Sequence, residues 1–317
     1  MKQDWKSLLG AFLLGIFMPS TVFGFVDIFV RNRTNAPQTP PDEEIIREIV
    51  LPIVFSDEVR EMPLEEYLVG VVLGEMPASF SMEALKAQAV AARTCALEWS
   101  SAGSKHPNGG VCVNYKCCQS YVNPERYGGT EKMLSRVKTA VAETAGQVLT
   151  YDGALIQATY FSCSGGKTED AVAVWGESVP YLQSVVSPGE EWSPIYEDAV
   201  FFTPSEFAAC LGRDLTGDCA GWLGQINRTR GGGVDSMVIG GVRYSGTHLR
   251  SLLSLNSTAF TMKAEMGGIT VITTGKGHRV GMSQYGAETM ARDGSSFSDI
   301  LGHYYPGTRI DKWIPFG

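Results

Sequence analysis

Apolar and polar positions change period several times along the chain. From residue 8 to residue 26 the side chains are almost wholly apolar or small, broken only by Pro19, Ser20 and Thr21. That run is close to the ~20 residues a helix needs to cross a bilayer. Lys2 and Lys6 before it fit a cytoplasmic end, while Arg31 and Arg33 after it oppose that orientation; residues 1–7 are expected as a cytoplasmic tip and residues 8–30 as a retained single-pass anchor. A cleaved signal peptide is the competing reading, but the apolar run exceeds an ordinary h-region and no small-x-small site closes it. Residues 31–44, including NRTNAPQTPPDEE, are polar and rich in proline and read as an extended tether. The folded, function-bearing region is expected at 45–317, outside the cytoplasm.

Beyond the tether the period becomes helical. Leu64 to Leu73 has helical character, breaks at the corner Gly74-Glu75-Met76-Pro77, and resumes after Ser81 as MEALKAQAVAARTCALEW. Ser81 is a candidate N-cap with Glu83 in the positive first turn, and Leu85, Ala89, Ala92 and Ala96 share a core-facing stripe. A third helix is predicted from Glu131 to Thr144, with Thr130 as cap and Gly146 just past its end.

The period then drops to two. Gln147 to Phe161 reads as two strands joined at Asp152-Gly153. Thr203-Pro204-Ser205-Glu206 carries a capping-box signature for a short helix stopped at Gly212. From Trp222 to Thr274, short β-rich runs alternate with glycine pairs and are interrupted by a helical stretch from His248 to Leu255. Two further helices, Ser283 to Asp293 and Phe297 to Tyr304, close the pattern. The class predicted is α+β: a helix-rich part carrying the corner, packed with antiparallel β-rich regions and preceded by a transmembrane helix.

Charge narrows the partners. The chain carries 26 basic against 34 acidic side chains, a formal net charge of −8, and shows no clustered Lys/Arg tract. Nucleic acid is therefore excluded as the main partner.

Three groups of residues are candidates for chemistry. Glu75 sits at a Gly/Pro-bounded corner among Val71, Val72, Leu73 and Met76, where desolvation would raise its pKa and let it act as a general acid and then a base. The same residue in a plain helix-capping role is the bland alternative. His106, Cys112, Cys117 and Cys118 offer four soft ligands within thirteen residues, a set suited to a structural Zn²⁺. Adjacent Cys117 and Cys118 make joint attachment awkward, and disulfides compete with metal in an oxidising compartment. Cys210 and Cys219 are the expected disulfide, whereas Cys95 and Cys163 read as packed thiols. Lastly, Ser162-Cys163-Ser164-Gly165-Gly166 and the glycine-rich run from Gly275 to Gly286 match neither nucleophile-elbow nor nucleotide-binding patterns. The first is expected to offer backbone donors to a ligand. The second is expected to form a groove wall in which His278, Gln284 and Tyr285 hydrogen-bond or stack on a polar ligand.

The segments LEEYLVGVVLGEMP, EALKAQAVAARTCAL, FSCSGGKTEDAVAVWGESVPYLQSV and GKGHRVGMSQYGAETMA occur in that order, and together they resemble the stage II sporulation protein D family. The resemblance covers most of 45–317. It implies a membrane-anchored peptidoglycan lytic transglycosylase, a lyase acting on glycan strands in cell-wall degradation during endospore engulfment, with the catalytic region on the mother-cell side of the intermembrane space. It makes Glu75 the catalytic acid/base and places zinc on His106, Cys112, Cys118 and Cys117. Gln88, Arg93, Tyr160, Ser162, Ser164, Gln284 and Tyr285 become candidates for holding the strand. Strands stripped of peptides are the implied substrate, and the sporulation amidase protein P and membrane protein M are the implied partners. A non-catalytic glycan-binding amidase enhancer or scaffold is the alternative. Cys95 departs from the aromatic expected in the ART-aromatic-AL run, and Cys163 stands in a Ser/Thr-rich stretch.

Overall fold

The computed structural model describes residues 48–56, 58–101, 105–106, 109–187 and 189–313. The anchor expected at 8–30 and the tether at 31–44 lie outside these residues. Among the described residues no helix is long and apolar enough to cross a membrane.

In chain order, a hairpin of β1 (Val50–Val54) and β2 (Val59–Pro63) leads into helices α1 (Leu64–Glu75) and α2 (Met82–Ser101). A short strand β3 (Val111–Cys112) then pairs in parallel with β1. Helix α3 (Glu131–Glu143) follows, then β4 (Gln147–Tyr151), β5 (Ala154–Leu155), β6 (Tyr160–Phe161) and a one-turn helix α4 (Ala171–Trp175). The β-rich part comprises β7 (Glu197–Phe202), α5 (Pro204–Leu211), β8 (Leu223–Arg228), β9 (Val234–Ile239), β10 (Val242–Ser245), α6 (Gly246–Leu252), β11 (Phe260–Glu265) and β12 (Gly268–Thr274). The chain returns to the helical part through β13 (Met282–Ser283), α7 (Gln284–Arg292), α8 (Phe297–Tyr304) and β14 (Arg309–Lys312).

The mixed α+β class holds, with small sheets rather than one large one. Pairing is mostly antiparallel, but β1–β3 and β6–β13 are parallel, which departs from a purely antiparallel expectation. Both exceptions join segments distant in sequence, so hairpin signals do not reveal them.

Helix α2 is the spine. Its alanine-rich sequence lets neighbours approach from nearly every side, and it packs on α1, α3, α7, α8 and β4. Leu85, Ala89, Ala92 and Ala96 are fully buried as their spacing predicts. A second apolar core lies within the β-rich part, built on Phe207, Trp222, Ile239, Leu249, Phe260 and Val271.

Local signals at element ends are reproduced. The Thr130 hydroxyl accepts from the Met133 N–H, and Thr203 with Glu206 forms a complete capping box before α5. Asp152 and Gly153 both have positive φ, 50° and 80°, as the tight β4–β5 turn demands. All seven cysteines are free. The bridge expected between Cys210 and Cys219 is therefore absent: Cys210 lies on α5, while the Cys219 thiol points to the Gly268 carbonyl at 3.4 Å.

Candidate active site

Helix α1 runs through Gly74 and ends on Glu75, one turn's fraction later than the Leu73 boundary the pattern suggested. Met76 precedes proline, which disfavours helical backbone at that position, and it adopts φ −130° and ψ 139°. Glu75 is thus the last helical residue and its half-buried side chain turns out of the corner. The Ser120 N–H donates to Glu75 Oε1 at 2.6 Å, and the Gln284 side chain donates to the same carboxylate. Burial outweighs both bonds and holds the Glu75 carboxyl above its ordinary value.

The carboxyl faces a cleft of about 690 Å³. Tyr160 and Ser162 from β6 and its exit, His278 from the glycine-rich run, and Trp175 at the end of α4 form its walls. The Tyr160 hydroxyl accepts from Gln119 Nε2 at 2.9 Å. Burial pushes His278 down to about 4. Its Nδ1 accepts from the Val280 N–H at 3.2 Å, and the ring bonds the Tyr160 backbone as well. A neutral imidazole with both edges engaged is a wall and no proton donor. Trp175 stays 46% exposed beside it, ring centroids 5.5 Å apart, leaving an apolar face on which a sugar can stack.

On the same side of the corner lies the His/Cys cluster. Pairing of β3 with β1 places Cys112, and a turn at Asn114, whose carbonyl accepts from both the Cys117 and Cys118 N–H groups at 2.9 Å, presents the adjacent thiols. His106 Nε2 is 3.4 Å from Cys118 Sγ and 3.8 Å from Cys117 Sγ, and the two sulfurs are 3.9 Å apart. All four ligand atoms lie within 4.8 Å of one another. Zinc–sulfur bonds of about 2.3 Å and zinc–nitrogen bonds of about 2.0–2.1 Å at tetrahedral angles separate ligand atoms by roughly 3.5–3.8 Å. The donor set fits that ion, and the neighbouring cysteines both face the cluster. Cys118 continues directly into Gln119 and Ser120, so this cluster and the Glu75 hydrogen bond belong to one short segment.

Residues 56–151, which contain both the corner and the cluster, match the family model described as stage II sporulation protein. The chain is 43% identical over 265 residues to stage II sporulation protein D of Bacillus subtilis (strain 168), covering 81% of this chain and 77% of that protein. The chain belongs to the stage II sporulation protein D family. The corresponding protein of Bacillus amyloliquefaciens is 43% identical over 266 residues, covering 81% of this chain and 76% of its own. Similarity extends to a Bacillus subtilis protein named amidase enhancer, 31% identical over 299 residues, 78% of this chain but 40% of that protein.

Within this member of the stage II sporulation protein D family, the expected strand-holding residues divide. Tyr160, Ser162 and His278 line the cleft. Gln284 is buried behind Glu75 and donates through Nε2 to Gln88 Oε1 at 3.3 Å, so Gln88 supports the acid's partner without reaching the cleft. Tyr285 packs against Phe80 and Trp192, ring centroids at 5.2 and 5.0 Å, away from the cleft wall. Arg93 is fully buried. It grips Glu65 of α1 through Nε at 2.8 Å and Nη2 at 2.5 Å and also bonds the Val141 and Gln147 carbonyls, so it ties α1, α2, α3 and β4 together. Ser164 is buried too, and the donors of its loop are already taken. The Glu190 carboxylate accepts from the Ser164 N–H at 2.7 Å, the Ser164 hydroxyl at 2.9 Å and the Gly165 N–H at 3.1 Å. The ligand expected for that loop is thus this chain's own carboxylate.

Two residues that sequence reasoning missed matter most. Gln119 fixes the wall: it accepts from the Tyr67 hydroxyl at 3.2 Å and donates to the Ala92 carbonyl at 3.1 Å and to Tyr160. Glu98 brings a second carboxyl to the cleft, also pushed up by burial while Lys105 pulls it down. Its signal was helical spacing. Glu98 follows Cys95 by three positions and Cys95 follows Gln88 by seven, which puts all three on one face of α2.

Proposed function

We propose that this family member is a lytic transglycosylase that cleaves the bond between N-acetylmuramic acid and N-acetylglucosamine in peptidoglycan glycan strands during endospore engulfment. The observation that carries the reading is Glu75: a carboxyl whose burial favours its protonated form, fixed by Ser120 and Gln284, facing a cleft of about 690 Å³. In the first step Glu75 gives its proton to the glycosidic oxygen as the bond to muramyl C1 breaks. In the second, the carboxylate so formed takes the proton of the muramyl C6 hydroxyl as O6 bonds to C1. The product ends in a 1,6-anhydro ring, no water is consumed, and Glu75 regains its proton. One carboxyl serves both steps.

A hydrolase uses two carboxyls whose environments push their pKa values apart. Glu98 and Glu75 are both pushed upward, by the same cause, which favours the single-acid route. The test is mass spectrometry of peptide-free strands digested by the full chain. Anhydro ends support the reading, and reducing ends would make Glu98 the partner of a hydrolytic pair.

His106, Cys112, Cys117 and Cys118 would hold Zn²⁺, whose contribution when bound is to cross-link the segment that carries Gln119 and Ser120. The membrane anchor, the extracytoplasmic location and an assembly with the sporulation amidase protein P and membrane protein M complete the proposal. A second reading, a non-catalytic glycan-binding enhancer of an amidase, draws on the similarity to the amidase enhancer. An intact acid in an open cleft weighs against it.

A further inference from the structure

Past Tyr115 and Lys116, which stand on its wall, the cleft continues into an open groove of about 630 Å³ floored by α6 and the turn after it. Arg250, in the last turn of α6, faces this groove. Its Nε is held by the Leu255 carbonyl at 3.4 Å, and among the described residues its two terminal nitrogens have no hydrogen-bond partner and no ion pair. Its charge is felt at His278 on the cleft wall. Lys116 is exposed, its ammonium 5.7 Å from the Tyr115 ring centre, and it too forms no ion pair among the described residues. Among the described residues no acidic side chain lines this groove, although the chain as a whole carries −8. Two unmatched cations in the path of a strand, on an acidic protein, mark a place where negative charge is expected from the ligand.

We propose that Arg250 and Lys116 form a carboxylate-binding subsite that reads the free lactyl group of peptide-free muramyl units. The inference rests on the peptidoglycan reading above. On such a strand the sugars are neutral, and each muramyl unit bears one lactyl carboxyl. That carboxyl is an uncharged amide while the peptide is attached and an anion once it is removed. The half-buried guanidinium presents a fork of N–H donors that matches a carboxylate, and the Ser251 and Ser254 hydroxyls lie along the same groove. The reaction that supplies this substrate is therefore the hydrolysis of the lactyl amide.

The test is binding by the full chain carrying Glu75→Gln, in detergent, to three strands: peptide-free, peptide-free with carboxyls reduced to alcohols, and peptide-bearing. Peptide-free strands are expected to bind about ten-fold tighter than the reduced ones, as loss of one charge-assisted hydrogen bond implies, and peptide-bearing strands to bind like the reduced ones. Adding Arg250→Gln or Lys116→Gln should shrink that ratio toward one, and Arg250→Lys should restore part of it. Lys116 is exposed, so its variant tests the subsite even where an Arg250 variant folds poorly. Equal affinity for native and reduced strands, or a full ratio in the Lys116→Gln, Arg250→Gln double variant, would overturn the subsite and leave the enzyme reading standing. Binding to none of the strands would remove the peptidoglycan reading and the subsite with it.

Discussion

Ser120 donates its backbone N–H to Glu75 Oε1 across 2.6 Å, and Ser120 stands two residues beyond Cys118 of the His/Cys cluster. The acid is therefore held by the segment that directly follows the cluster. Elemental analysis is expected to find about one zinc per chain. Chelation should lower turnover by on the order of ten-fold or more, because the donor to Glu75 loses its fixed position. Full turnover by a metal-free chain would break this link.

Gly74 is what lets that segment come so close. A Cβ there would stand 2.8 Å from the Tyr121 nitrogen and 2.9 Å from the Ser120 carbonyl carbon, both backbone atoms that cannot rotate away. Gly74→Ala should cost roughly 1–3 kcal/mol of stability and reduce kcat more than it changes KM. Turnover equal to the parent would show that the Ser120 contact is dispensable.

The pH profile follows from the sign of the Glu75 shift. Burial favours the protonated carboxyl, so the proton is kept to higher pH and kcat/KM should fall only as pH rises through a value above the ordinary carboxyl range. Gln284 bonds the ionised form and opposes that shift. Gln284→Leu should therefore lower the rate and move the alkaline limb to still higher pH, whereas His278→Ala should leave the limb in place. A limb displaced downward by Gln284→Leu would contradict the assignment.

Arg93 belongs to the fold. Removing it leaves Glu65 with the Gly146 N–H as its remaining hydrogen bond and takes the Arg93 donor from the Gln147 carbonyl, while the Val141 carbonyl keeps Thr144. Arg93→Ala should destabilise by roughly 3 kcal/mol, the low end for a broken buried pair because Glu65 is part-exposed. Denaturant unfolding measures this, and a change under about 1 kcal/mol would contradict the anchoring role.

Local order was legible where the physics is local. The Thr130 and Thr203 caps, the Asp152-Gly153 turn and the proline-stopped corner at Glu75 each depend on a few neighbouring residues. What stayed hidden depends on distant partners. Arg93 and Glu98 share an alanine-rich helix buried on nearly all sides, so no contrast of polar and apolar faces separates the residue that pairs inward from the one that meets the cleft. Ser164 looks like a ligand-binding loop until Glu190, twenty-six positions on, fills it. Cys117 and Cys118 look mutually exclusive until the turn at Asn114 aims both at His106.

The most direct test of the central claim compares the full chain with its Glu75→Gln variant on peptide-free glycan strands, measuring anhydro-ended products and strand binding in the same preparation. The account predicts turnover lower by about 10²–10⁴-fold with binding retained, since an amide keeps the shape of the side chain but has no proton to give. Anhydro products released at the parent rate by a folded Glu75→Gln chain would contradict it.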